Sequence, residues 1–141
     1  MNDRSTFALV AIASLVACFA LFSREASADK GVSLSTAQVG AGSKAFAQYC
    51  SGCHGASLEG GAGPALSGPN FKTLSSKVKA TVGDVFTYMT TSMPMNAPAS
   101  LKHDQYVAIM AFILSKNGYH PGSSPLTFSA AINSKAPVDR N

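Results

Sequence analysis

Two cysteines and a histidine lie close together in the segment Cys-Ser-Gly-Cys-His at residues 50–54. At this spacing, two thiols can attach to the two vinyl groups of one porphyrin while the residue that follows reaches the iron. The segment therefore predicts one covalently bound haem c, attached through Cys50 and Cys53, with His54 as an iron ligand.

Two other roles of the cysteine pair remain open from the sequence. A redox-active disulfide of the thioredoxin type usually follows a strand, whereas a helical pattern precedes Cys50. A structural zinc site takes four ligands, but His103 and His120 do not supply the spacing of a second ligand pair. Haem attachment is therefore the preferred interpretation, and these two histidines are expected to face solvent.

The segments on either side of the cysteine pair differ in their predicted structure. Gly42, Phe46 and Tyr49 recur at helical intervals and predict a first helix over about residues 37–50. Five glycines and two prolines follow between residues 55 and 70, a composition that does not continue a helix. We therefore expect the chain to wrap around the site as a loop after the cysteine pair.

Two further helices are predicted after this loop. Thr81 as an N-cap, with Asp84 at the third helical position, predicts a helix over about residues 82–92. Apolar residues between Tyr106 and Leu114 then follow an i, i+3, i+4, i+7, i+8 pattern, which predicts a helix beginning at about residue 103.

The predicted end of the last helix is marked by Gly118, a residue type that readily adopts the left-handed conformation of a helix stop. The tail over residues 119–141 contains three prolines and predicts an extended strap. Its apolar residues, which are expected to lie on the body of the protein, are Leu126, Phe128 and Ile132.

Residues from about 37 to 118 resemble the class I c-type cytochromes that carry a single haem. In similar proteins, a glycine and an aromatic residue on the first helix pack against an aromatic residue on the last helix. Gly42, Phe46 and Phe112 stand at these positions. The resemblance implies an all-α cytochrome c fold, in which the N- and C-terminal helices cross and loops enclose the haem.

The same resemblance implies a residue that orients the ligating histidine. Gly-Pro-Ala-Leu at residues 63–66 is similar to a family segment whose proline carbonyl accepts a hydrogen bond from the free ring nitrogen of that histidine. Pro64 is therefore expected to orient His54 and to strengthen its donation to iron.

The sixth iron ligand in this family is the methionine of a Met-Pro pair before the last helix. In this chain that residue is Met93, and Met95 remains an alternative. Met89 and Met110 lie on apolar helix faces and are expected in the core.

Ligation by both His54 and Met93 would leave no open position on the iron, so the resemblance implies a one-electron carrier that is not an enzyme. A haem enzyme or sensor from which Met93 dissociates is the alternative. Residues 93–101 are similar to the cytochromes associated with quinoprotein alcohol dehydrogenases. This similarity implies a periplasmic dehydrogenase as electron donor, with a terminal oxidase or another cytochrome as acceptor.

The first residues are typical of a bacterial secretory signal peptide. Arg4 precedes an apolar run over residues 7–22, and Ala-Ser-Ala follows at residues 26–28. We expect cleavage after residue 28, a cytochrome c domain over residues 29–141, and a periplasmic location. An uncleaved anchor, or a lipidated Cys18, would instead tether the protein to a membrane.

Charge and composition restrict the partners further. The chain has a formal net charge of +4, but its basic residues are scattered along the sequence. This distribution does not resemble a nucleic-acid interface. A weakly acidic redox protein is the expected partner.

Overall fold

The computed structural model describes residues 32–141, and their regular structure is helical, with two isolated β-bridges. The predicted signal peptide and Cys18 lie outside the described residues. Within residues 32–141, no helix combines the length and apolarity needed to cross a membrane. The helices are α1 (Thr36–Tyr49), α2 (Ser51–His54), α3 (Gly68–Val78), α4 (Val82–Ser92), α5 (His103–Ser115) and α6 (Phe128–Ile132).

The first and last long helices cross, which confirms the predicted all-α cytochrome c arrangement. A side chain at Gly42 of α1 would collide with the backbone carbonyl of Ala108 of α5. The rings of Phe46 and Phe112 lie beside this crossing, with centroids 5.5 Å apart. The absence of a Cβ at Gly42 therefore allows the two backbones to approach closely.

Helix α5 is the centre of the core. All nine residues from Tyr106 to Leu114 are buried, including those between the apolar positions of the predicted stripe. This burial arises because α5 contacts α1, α4 and α6. A helix that is apolar on all sides is expected in such an enclosed position.

The predicted loop over residues 55–70 is too long at its C-terminal end, because α3 begins at Gly68. Pro69 lies in the first turn of α3, where a proline is tolerated because the N–H that it lacks has no helical partner. Phe71 and Ser75 face the core, whereas Leu74 is half exposed. A polar sequence that follows a proline thus forms a helix buried along one narrow face.

The tail is an extended strap only in part, because α6 interrupts it. Thr127 forms the N-cap of α6, and its side chain accepts a hydrogen bond from the Ala130 amide at 3.1 Å. The other expectations for the tail are confirmed. Leu126 is buried, and the rings of Phe128 and Phe86 pack in a T-shaped arrangement with centroids 5.0 Å apart. Ile132 also packs against the core.

Two glycines of α1 provide a direct test of the helix crossing. Gly42→Ala should lower the free energy of unfolding of the holoprotein by about 3 kcal/mol, because the added methyl group must separate two backbones. Gly40→Ala is the matched control, since a Cβ at Gly40 meets nothing within 4 Å. It should stabilise α1 by up to about 1 kcal/mol. Urea denaturation measures both changes, and equal effects of the two substitutions would contradict a close crossing at Gly42.

Candidate haem-binding site

The cysteine pair continues directly from the end of α1. The Cys50 amide donates to the Phe46 carbonyl at 2.9 Å, as in a helical turn. The Cys50 carbonyl then accepts a hydrogen bond from the His54 amide at 3.0 Å, within the short helix α2. The position of the pair is therefore fixed by α1, which is itself packed against the core through Phe46.

The two thiols differ in exposure and are not joined by a disulfide. Cys50 is half-buried and Cys53 is exposed. Burial raises the pKa of the Cys50 thiol to about 11, and the neighbouring Cys53 contributes to the rise. A redox-active pair needs a thiol whose pKa is lowered. The environment of Cys50 therefore argues against this thiol as the attacking nucleophile of a redox-active pair.

The two other histidines lie in exposed positions, as predicted. His103 stacks on the ring of Phe128, with centroids 4.2 Å apart. Among residues 32–141, no three His, Cys, Asp or Glu side chains are grouped as metal ligands. A zinc site formed by Cys50 and Cys53 would thus lack the further ligands it needs within this part of the chain.

The loop after α2 folds back over the histidine of the motif. The Gly60 amide donates to the His54 carbonyl at 2.8 Å, and the Gly63 amide donates to the Cys53 carbonyl at 2.9 Å. Leu58, which is fully buried, anchors this loop in the core. These contacts bring Pro64 beside the imidazole of His54.

The His54 ring has the hydrogen bond expected from the family resemblance. Its Nδ1 atom lies 2.8 Å from the Pro64 carbonyl oxygen. A carbonyl oxygen only accepts hydrogen bonds, so Nδ1 must carry the proton. In a neutral imidazole, the lone pair is then on Nε2, which leaves that nitrogen available to a metal.

Gly63 packs against the same imidazole. A Cβ at this position would lie 2.9 Å from Cε1 and 3.0 Å from Nδ1 of His54. The glycine therefore allows the loop backbone to approach the ring closely. No sequence pattern predicted this role, although Gly63 belongs to the segment at residues 63–66 on which the resemblance rests.

Met93 and Met95 occupy different environments. Met93 follows the last residue of α4, is half-buried, and packs against the core. Met95 is 75% exposed, so its side chain is not held in place by packing. Met89 and Met110 are buried in the core, as predicted.

Two polar residues near these elements have roles that were not predicted from the sequence. The Tyr106 hydroxyl donates to the Met93 carbonyl at 2.6 Å, and the Asn117 side-chain amide donates to the Leu66 carbonyl at 2.8 Å. Both are buried among apolar residues. In the sequence, the indication of such a role was that each residue carries a polar group. A buried polar group needs a hydrogen-bond partner.

The family model of the cytochrome C oxidase, cbb3-type, subunit III matches residues 37–113 of the chain. The chain belongs to this cytochrome c family. Its cofactor is therefore haem c, and the chain carries a single Cys-x-x-Cys-His segment for its attachment.

The cytochrome also resembles a solved structure. The cytochrome is similar to a chain in the crystal structure of the sulfane dehydrogenase SoxCD from Paracoccus pantotrophus, with 29% sequence identity and a TM-score of 0.51. The similarity covers 67% of the cytochrome and 50% of that chain. The cytochrome thus spans half of the length of the protein it matches. No curated protein sequence matches it.

The side chains of the site fit covalent haem c. The pair Cys50 and Cys53 offers two unlinked thiols, and His54 offers a ring nitrogen whose tautomer is set by Pro64. The close approach of Gly63 leaves the imidazole little freedom to turn. This arrangement pre-orients a nitrogen ligand through a hydrogen bond from its other ring nitrogen, as metal-binding histidines generally require.

Substitution of Gly63 tests this orientation. Gly63→Ala should push the imidazole away from the Pro64 carbonyl, lower the stability of the holoprotein by about 1–3 kcal/mol, and expose the Nδ1 proton to solvent exchange. Gly52→Ala is the control within the same motif, because a Cβ there meets nothing within 4 Å. Proton NMR of the His54 ring measures the exchange. Unchanged exchange in Gly63→Ala would show that the glycine does not restrain the ring.

Proposed function

We propose that this cytochrome is an exported one-electron carrier in which Cys50 and Cys53 hold haem c, and His54 and Met93 are the two axial iron ligands. Haem c supplies the one-electron iron couple when it is bound. The residues of the chain supply attachment, ligand orientation and a constant geometry around the iron. In this role the polypeptide catalyses no reaction of its own.

The hydrogen bond between His54 Nδ1 and the Pro64 carbonyl is the observation that carries the proposal. It fixes the tautomer with the lone pair on Nε2 and holds the ring in one orientation. It also strengthens donation from Nε2 to a metal, because the carbonyl draws the Nδ1 proton. A solvent-exposed structural histidine would not need a backbone carbonyl placed in this way.

Met93 is proposed as the second ligand because its surroundings restrain it. Its amide donates to the Met89 carbonyl at 3.1 Å, so the residue continues the hydrogen bonding of α4. A thioether on iron stabilises the reduced state and raises the potential. With two protein ligands in place, substrates have no direct access to the metal, which favours electron transfer over the alternative of a haem enzyme or sensor.

Redox partners are proposed from charge and from the structural similarity. Lys72, Lys77 and Lys79 are exposed on α3 or at its C-terminal end, which favours a partner with an acidic surface. The similarity to a chain of a dehydrogenase supports a dehydrogenase as electron donor. The resemblance of residues 93–101 to cytochromes associated with quinoprotein alcohol dehydrogenases makes a quinoprotein dehydrogenase the specific proposal. A terminal oxidase or another cytochrome is the proposed acceptor.

Export to the periplasm is proposed from the sequence of residues 1–28. The intact mass of the protein, purified from the cells that produce it, should correspond to residues 29–141 plus one haem. A mass that includes residues 1–28 would indicate an uncleaved anchor, and added acyl chains would indicate lipidation of Cys18. The bare polypeptide mass would contradict covalent haem.

Four substitutions test the assigned residues. Cys53→Ala or His54→Ala should prevent accumulation of stable holoprotein, seen by haem staining of a denaturing gel. Met93→Ala should retain the attached haem, lose the methionine-to-iron charge-transfer band of the ferric protein, and lower its potential. We expect a decrease on the order of 0.1 V, within the range of about 0.8 V that axial ligands span. The control, Met95→Ala, should change neither the band nor the potential.

Two outcomes would contradict these assignments. Loss of the band in Met95→Ala, but not in Met93→Ala, would make Met95 the ligand. High-spin ferric iron in the unsubstituted protein would favour the haem enzyme or sensor, because it would show an open or weakly ligated position.

A further inference from the structure

We propose that Tyr106 is a positioning residue that controls how often Met93 leaves the iron, by holding the backbone of the segment that carries this methionine. The inference rests on the proposed role of Met93 as axial ligand. It concerns the segment at residues 93–101, which connects α4 to α5 and is called here the methionine loop.

The Tyr106 hydroxyl bonds to both ends of the methionine loop. It donates to the carbonyl of Met93 at 2.6 Å and accepts from the amide of Leu101 at 3.4 Å. Tyr106 is only 2% exposed, so its hydroxyl lies largely away from water. A single buried hydroxyl on α5 thus links the first and last residues of the methionine loop.

The methionine loop has no helix or strand of its own to hold it. It is turned by internal hydrogen bonds, in which the Ala97 amide donates to the Pro94 carbonyl at 2.9 Å and the Ala99 amide donates to the Met93 carbonyl at 3.3 Å. Ala99 adopts a positive φ of 57°, a conformation that non-glycine residues rarely take. The loop therefore depends on an outside contact for a fixed position, and Tyr106 supplies one.

The choice of tyrosine supports a specific role. The ring fills a position in the apolar stripe of α5, a function that phenylalanine would perform equally well. The hydroxyl adds a polar atom inside the core, which costs free energy unless it has partners. Both of its partners belong to the methionine loop, so the hydroxyl serves to hold that loop against α5.

Loss of the hydroxyl should raise the fraction of molecules in which the methionine loop is open. An added ligand such as imidazole binds the iron only when Met93 has left it. Its apparent affinity therefore rises in proportion to the open fraction. The effect of one lost hydrogen bond corresponds to a change of about tenfold.

The chain offers a matched control for this substitution. Tyr119 is 3% exposed, and its hydroxyl donates to the Pro137 carbonyl at 2.6 Å. Tyr119→Phe therefore removes an equally buried hydrogen bond of the same length, but one in the C-terminal tail. A purely structural role for Tyr106 predicts the same behaviour from both variants.

The experiment titrates ferric holoprotein with imidazole and follows the methionine-to-iron charge-transfer band. Tyr106→Phe should lose the band at about tenfold lower imidazole concentration than the unsubstituted protein. Tyr119→Phe should behave like the unsubstituted protein. Equal imidazole affinity in the two variants would overturn the inference, because Tyr106 would then act only through overall stability.

Failure of the underlying ligand assignment has a different signature. If the unsubstituted protein lacks the band, or if Met95→Ala abolishes it, the role of Met93 is wrong whatever Tyr106 does. An intact band that Met93→Ala removes, together with unchanged imidazole binding in Tyr106→Phe, would overturn the role of Tyr106 alone.

A second measurement needs no substitution and remains available if Tyr106→Phe does not fold. Saturating imidazole, which displaces Met93, should increase hydrogen exchange of the Leu101 and Ala99 amides, because both belong to the methionine loop. The Val138 amide, which donates to the Ala80 carbonyl at 3.0 Å, is the reference and should not change. Unchanged exchange at Leu101 and Ala99 would overturn the inference.

Discussion

The close approach of α1 and α5 at Gly42 is the constraint on which the rest of the structure depends. It brings Phe46 against Phe112 and buries the face of α5 that meets α1. Because α1 runs without interruption into the turn that begins at Cys50, the same contact also fixes the start of the haem-attachment segment. Packing between two helices thus determines where the thiols stand.

From this fixed point, the site is completed by backbone hydrogen bonds more than by side-chain packing. The loop after α2 returns to place the Pro64 carbonyl on the imidazole of His54. In the methionine loop, the backbone of Met93 is held between α4 and Tyr106. Main-chain carbonyls therefore act at both proposed ligands: one orients a side chain, and the other restrains a loop.

The sequence allowed prediction of the features that depend on local patterns. The cysteine spacing, the capping residues Thr81 and Asp84, and the apolar periodicity of α5 each depend on residues close in the chain, and the corresponding elements were confirmed. Helix α3 was missed because its polar residues and Pro69 resemble a loop, although Phe71, Leu74 and Val78 have helical spacing. Helix α6 was missed for a similar reason, since its signal was a single N-cap threonine in a proline-rich tail.

The hydrogen bonds of Tyr106 and Asn117 could not be predicted from local sequence patterns. Each joins a side chain to a carbonyl that is brought near by the tertiary fold, 13 residues away for Tyr106 and 51 residues away for Asn117. A periodicity argument places both residues near the core but does not supply their partners. The resemblance to a known family predicted the His54 contact because that contact recurs among similar proteins, not because the residues alone required it.

The amides at the start of α4 receive their acceptors from the far end of the chain. Val82 donates to the Ala136 carbonyl and Gly83 to the Ser134 carbonyl, at 2.9 Å and 3.0 Å. Both amides lie in the first turn of α4, where N–H groups have no partner within the helix, so the tail supplies the acceptors that the helix cannot. The C-terminal residues thus support the helix that ends at Met93, although they are far from it in the sequence.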